Sequence, residues 1–67
     1  MKKNDRLDAN REILTILAEM IEKLPDLRFH QILWTLKIED GTDKFYEEPS
    51  DTLMALKYRI NELHDLL

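Results

Sequence analysis

Cysteine is absent from this chain of 67 residues. Neither a disulfide framework nor a thiolate metal site can form without it, and those are the two devices that usually hold together very small secreted domains. A reducing, cytoplasmic setting is the expectation. Long apolar runs are absent too: the longest spans only a few residues, far short of the roughly 20 needed to cross a bilayer. The first residues, Met1-Lys2-Lys3-Asn4-Asp5-Arg6, begin basic and pass into a charged amphipathic stretch. No apolar core of a secretory leader is read there. Basic charge is also in deficit, with 10 Lys and Arg against 14 Asp and Glu and a formal net charge of -4. A general nucleic-acid binder needs a surplus of cations on one face, so direct nucleic-acid binding is not expected.

What is present is an ordinary globular composition, 43% hydrophobic and 36% charged. A disordered chain would carry fewer large apolar groups. At this length there is room for one domain, residues 1–67, with one core. The scaling of surface with mass gives roughly 11,700 Å² for the extended chain and roughly 4,500 Å² for a compact monomer, about 60% buried, which makes stability marginal.

Helical spacing dominates the sequence. Between Asp5 and Lys23 the residues Leu7, Leu14, Leu17, Ile21 and Leu24 recur at sevens and threes, with Ile13, Ile16 and Met20 on the flanks. This predicts a first helix, ended by Pro25, which pushes the residue before it out of the α region. With Asp26 as N-cap, a second helix is expected over about Leu27 to Lys37. Its apolar residues Leu27, Phe29, Ile32, Leu33, Trp34, Leu36 and Ile38 cover more than one face, so it reads as the central element. Residues 39–48 hold the only glycine and show no helical period, and Asp40-Gly41 marks a turn. Phe45 and Tyr46 read as a plug that anchors this loop on the core. Pro49 and Ser50 supply a stop and an N-cap for a third helix from about Asp51 to Leu66. There Leu53, Leu56, Ile60, Leu63 and Leu67 form a narrow seam, with Met54, Tyr58 and Leu66 beside it. The expected fold is all-α, a small three-helix bundle with one long acidic loop between helices 2 and 3.

Chemistry finds little purchase in this pattern. His30 and His64 fall on different helices, neither with a second histidine at i+3 or i+4, so no zinc pair is formed. The only serine, Ser50, follows a proline where a cap is required, and no cysteine is available as a nucleophile. Gly41 and Glu47 have the spacing of the glycine and last ligand of a calcium loop, but the first and third ligand positions would be Leu36 and Ile38, which offer no side-chain oxygen. Glu47 and Glu48 could pair for acid-base work only in an enclosing cleft, which so short a chain does not easily build. No metal, no cofactor and no enzymatic activity are expected.

Charge is concentrated instead. Residues 39–51 carry six acids, Glu39, Asp40, Asp43, Glu47, Glu48 and Asp51, against Lys44 alone. That local balance of -5, six negative against one positive, exceeds the surplus of the whole chain. Glu39, Asp40, Asp43, Glu47 and Glu48 are therefore the candidate partner-facing surface, suited to a protein with a basic face. One of the two glutamates can alternatively pair with Arg28 inside the fold. His30, Trp34 and Ile38 share a stripe of the second helix and are the candidate self-association residues, consistent with a homodimer.

The segments Asp26-Leu27-Arg28-Phe29-His30-Gln31-Ile32-Leu33 and Phe45-Tyr46-Glu47-Glu48-Pro49-Ser50-Asp51-Thr52-Leu53 resemble a group of small uncharacterised proteins of bacteria, their phages and other mobile elements. These share an Arg-Phe-x-Gln-x-Leu helix and an acidic Phe-Tyr-Glu-Glu segment. The resemblance spans roughly residues 24–56 and implies no activity. Physically the pattern suits a fold signature: Phe29 and Leu33 lie one turn apart for the core, while Arg28 and Gln31 can hold the returning loop. The function expected is that of a small non-enzymatic protein-binding accessory or effector protein, encoded by a phage or mobile element. The alternative is a structural helical module that acts as a homodimer.

Overall fold

The computed structural model describes residues 3–66, and side chains for 5–63. Leu67 of the expected third seam, and the side chains of His64 and Leu66, lie outside the described residues. Three helices are present and no strand among the described residues: α1, Lys3–Lys23; α2, Phe29–Thr35; and α3, Pro49–Leu66. The molecule is elongated, 36 × 22 × 19 Å. α1 packs along α3 and, over a shorter contact, against α2.

The core is assembled from Met20 of α1, Ile32 of α2, Leu36 just beyond it and Leu56 of α3, all buried. Ile13, Ile16, Leu17, Leu24, Ile38, Ile60 and Leu63 close around them, half-buried. The expected seam of α3 is thus the one used, through Leu56, Ile60 and Leu63. On α1 the outcome differs. Ile13, Ile16 and Met20, expected on the flank, line the core together with Leu17 and Leu24 of the expected stripe, whereas Leu7, Leu14 and Ile21 of that stripe are exposed; Ala9, which the apolar spacing left out, is buried as well. The apolar arc of α1 is wider than α3 and the short α2 can cover, and two stripes of helical period compete within it. Glu12 of α1 and Lys57 of α3 form an ion pair at 2.5 Å across the edge of the contact between these helices.

α2 is much shorter than its apolar residues suggest, and both of its ends have a local cause. Its N-cap is Arg28, not Asp26, because the Gln31 side chain reaches back to accept the Arg28 amide at 2.8 Å. At the other end Lys37 takes a left-handed conformation, φ 58°. The Ile38 amide then donates to the Leu33 carbonyl at 2.9 Å and the Lys37 amide to the Trp34 carbonyl at 3.0 Å. That is the six-to-one and five-to-two pair of a Schellman stop, and Ile38 folds back onto the core, as such stops favour. Ile38 accordingly leaves the stripe that it was expected to share with His30 and Trp34. Phe29 also departs from expectation: it is half exposed, its ring edge-on to His30 at 5.9 Å.

α3 begins two residues earlier than expected. Pro49 occupies its first position, where a missing N–H costs nothing, and the Glu48 carbonyl accepts the amides of Asp51 at 3.0 Å and Thr52 at 3.2 Å. Ser50 therefore lies inside the first turn and is not the cap.

Candidate functional site

The carboxylates between α2 and α3 bond to polar groups of the same chain, although Glu39, Asp40, Asp43 and Glu47 remain exposed to solvent. Asp40 Oδ1 accepts the amide of Thr42 at 3.1 Å and its hydroxyl at 2.5 Å, closing a turn in which Gly41 has φ 87°. Asp43 Oδ1 accepts the Phe45 amide at 3.0 Å. The Thr52 hydroxyl donates to the Glu47 carboxylate. Glu39 meets His30 Nδ1 at 3.2 Å. Glu48 is gripped by a two-pronged guanidinium, Arg6 Nε to Oε2 at 2.9 Å and Nη2 to Oε1 at 2.7 Å, so its partner is Arg6 of α1 and not Arg28. All five acids expected to face a partner thus have an intramolecular contact.

The two aromatics do not plug the core. Phe45 is 82% exposed and Tyr46 90% exposed, their rings stacked edge-to-face on each other at 4.9 Å. Anchoring falls to Lys44 instead. Its ammonium donates to the carbonyls of Lys37 at 2.8 Å and Ile38 at 3.2 Å, and pairs with Asp40 at 3.3 Å. A cation tying the segment to free carbonyls leaves nothing for an aromatic plug to do.

Electrostatics follow from these contacts. The Thr42 hydroxyl and then its amide, with a weaker contribution from Lys44, hold the Asp40 carboxyl below its ordinary 3.8 against an opposing desolvation. The hydrogen bond from Arg6, and then its charge, does the same for Glu48, below 4.5. A general acid requires the opposite displacement. Among the described residues no group of three or more His, Asp or Glu could hold a metal ion, and no polar side chain is buried.

A different surface gathers around Lys37. A groove of about 560 Å³ runs between the end of α2 and the outer face of α3, floored by Leu36 and Ala55, walled by Met54 and Tyr58, and rimmed by Lys37, Asp51, Arg59 and Glu62. A second depression, about 430 Å³, joins Trp34, Thr35, Asp40 and Arg59 to Lys37, and a third, about 500 Å³, carries it on to Tyr46. Met54 is 71%, Tyr58 69% and Trp34 60% exposed. Arg59 is pinned here by the Thr35 carbonyl at 3.2 Å and by Glu62 at 3.0 Å, whereas Lys37 enters no ion pair among the described residues. Lys37 is the residue shared by all three depressions, and it carries the strained backbone. Strain of this kind clusters at functional positions.

Of the residues expected for self-association, Trp34 lies on this surface, His30 is exposed beside Glu39, and Ile38 belongs to the core. Sequence reading missed Lys37 because a helix stop of this type is normally written with glycine. It saw Met54 and Tyr58 only as neighbours of the α3 seam, although their i, i+4 spacing opposite Leu56 signals a second apolar face. Compared with protein-family models, with curated proteins and with solved structures, the chain finds no match.

Proposed function

We propose that this protein is a small non-enzymatic binding protein whose contact surface is the groove centred on Lys37, walled by Met54 and Tyr58 and extended by Trp34. The observation that carries the reading is the exposure of these three large side chains around a lysine held at positive φ that enters no ion pair among the described residues. Two aromatic rings of this size, at such exposure, present roughly 100–170 Å² each, the kind of anchor from which interfaces draw their affinity. The groove follows α3 from Asp51 to Glu62, about three turns or roughly 16 Å. The occupant that fits is a helical segment of another protein, placing apolar side chains at i and i+4 between Met54 and Tyr58 and a carboxylate against Lys37. The resemblance of the Asp26–Leu33 and Phe45–Leu53 segments assigns the protein, on this reading, to the accessory factors of phages and mobile elements, with a host or phage protein as its target.

The test is capture from a bacterial lysate with the wild type and the doubly substituted Met54→Ala, Tyr58→Ala chain. Both side chains are exposed, so the fold survives. A protein held by the wild type and bound at least tenfold more weakly by the variant, about 1.4 kcal/mol, supports the proposal. Equal capture by both chains defeats it.

A further inference from the structure

We infer that a second face, on α1, pairs with another copy of this chain as an antiparallel two-fold dimer. The inference stands on observations separate from the groove. Leu7, Leu14 and Ile21 repeat at sevens along α1 and are exposed, Leu14 by 64%, with Ala18 exposed between them. The α1 residues that pack on the core are Ile13, Ile16, Leu17, Met20 and Leu24, which leaves Leu7, Leu14 and Ile21 outside it. The accessible surface of the chain is 5528 Å². A compact monomer of its mass exposes roughly 4,500 Å². The excess, roughly 1,000 Å², is spread over the exposed large side chains of the molecule, the α1 stripe among them.

Charge selects a second copy as the occupant and fixes its direction. Arg11 and Glu22 are exposed, and neither enters an ion pair among the described residues. They are 11 residues apart, three turns, and so stand on the same edge of the seam roughly 16 Å from each other. A two-fold axis crossing α1 midway between them sets Arg11 against Glu22 of the second copy, and Glu22 against its Arg11. The same axis lays Leu14 beside Ala18 of the second copy, a large residue over a small one. A parallel pairing puts Arg11 and Glu22 at opposite ends of the contact and satisfies neither. The surface is self-complementary in the antiparallel sense alone, as an isologous interface must be.

Sedimentation equilibrium of the full chain tests this, with circular dichroism as the control for folding. The wild type is expected to pass from monomer to dimer between low and high micromolar concentration. Leu14→Glu should be monomeric throughout while remaining helical. Arg11→Glu and Glu22→Arg each turn two attractive pairs repulsive and should weaken the dimer roughly tenfold or more. The combined variant Arg11→Glu, Glu22→Arg restores opposite charges across the axis and should return to within about threefold of the wild type. A wild type that stays monomeric at high micromolar concentration overturns the inference. So does a combined variant no tighter than the single ones, which would deny the antiparallel register. Met54→Ala with Tyr58→Ala should leave the dimer intact, so loss of partner capture and loss of the dimer are read independently.

Discussion

Replacing Lys37 with Gly should make the protein more stable. The residue closes the Schellman stop of α2 at φ 58°, where a side chain brings Cβ against the following carbonyl. That conformation costs a non-glycine residue roughly 1–2 kcal/mol. Glycine removes the cost but loses more backbone freedom on folding, roughly 0.5–1 kcal/mol. The net gain is about 0.5–1 kcal/mol, or roughly 2–8 °C in melting temperature for a chain of this size. Nothing in the fold depends on the side chain: Lys37 is exposed, and the carbonyl that accepts from Lys44 at 2.8 Å is backbone and remains. Urea melts with an unchanged slope provide the assay. Lys37→Ala is the control, since it removes the ammonium and keeps the strain. If Lys37→Gly proves no more stable than Lys37→Ala, the left-handed backbone at this position carries no strain that glycine relieves. If the strain is kept for the sake of the ammonium, the stabler glycine variant should also hold the partner less well, the familiar opposition of stability and function.

The two stripes of α1 separate cleanly by mutation: Met20→Ala should cost about 3 kcal/mol in urea melts, and Leu14→Ala at low micromolar concentration less than about 0.5 kcal/mol. Phe45→Ala should likewise cost less than about 0.5 kcal/mol, because the ring faces solvent; a loss near 3 kcal/mol would return it to the core. The pH dependence has a definite sign. Glu48 is held below 4.5 in the folded chain, so its contact with Arg6 stabilises the fold above that value and is lost as the pH falls through the lower, folded value. Acid titration of the melting temperature should therefore show a smaller drop below about pH 4.5 for Glu48→Gln than for the wild type, and coincident curves would contradict the contact.

The helices were legible in the sequence, and the surfaces between them were not. Periodicity located α1 and α3 because each repeats its apolar residues over several turns, and the α3 seam through Leu56, Ile60 and Leu63 packs as its spacing suggests. On α1 the rule finds only part of the buried face: Leu17 and Leu24 pack as their spacing suggests, but Leu7, Leu14 and Ile21 stay exposed while Ile13, Ile16 and Met20 turn to the core, a choice that only the position of α3 makes. α2 was drawn too long because its apolar content continues through Leu36 and Ile38 although its backbone stops at Thr35. Apolar residues that follow a Schellman stop still reach the core, so composition does not mark the end. The acidic stretch was seen correctly as a concentration of charge, but which carboxylates are tied internally depends on Arg6, forty-two residues from Glu48, and on hydroxyls such as Thr42 and Thr52 that carry no signal of their own. The groove at Lys37 is a property of two elements together, and no window along one of them contains it.

On the proposed reading the Lys37 surface, and not the carboxylates between α2 and α3, meets the partner. The most direct measurement is a nuclear magnetic resonance titration of the isotopically labelled chain with the captured protein, residue by residue. The largest shifts should fall on Lys37, Met54, Ala55 and Tyr58, spread to Trp34, and spare Asp43 and Glu47. Shifts centred on Glu39, Asp43 and Glu47, with Met54 and Tyr58 unmoved, would contradict it.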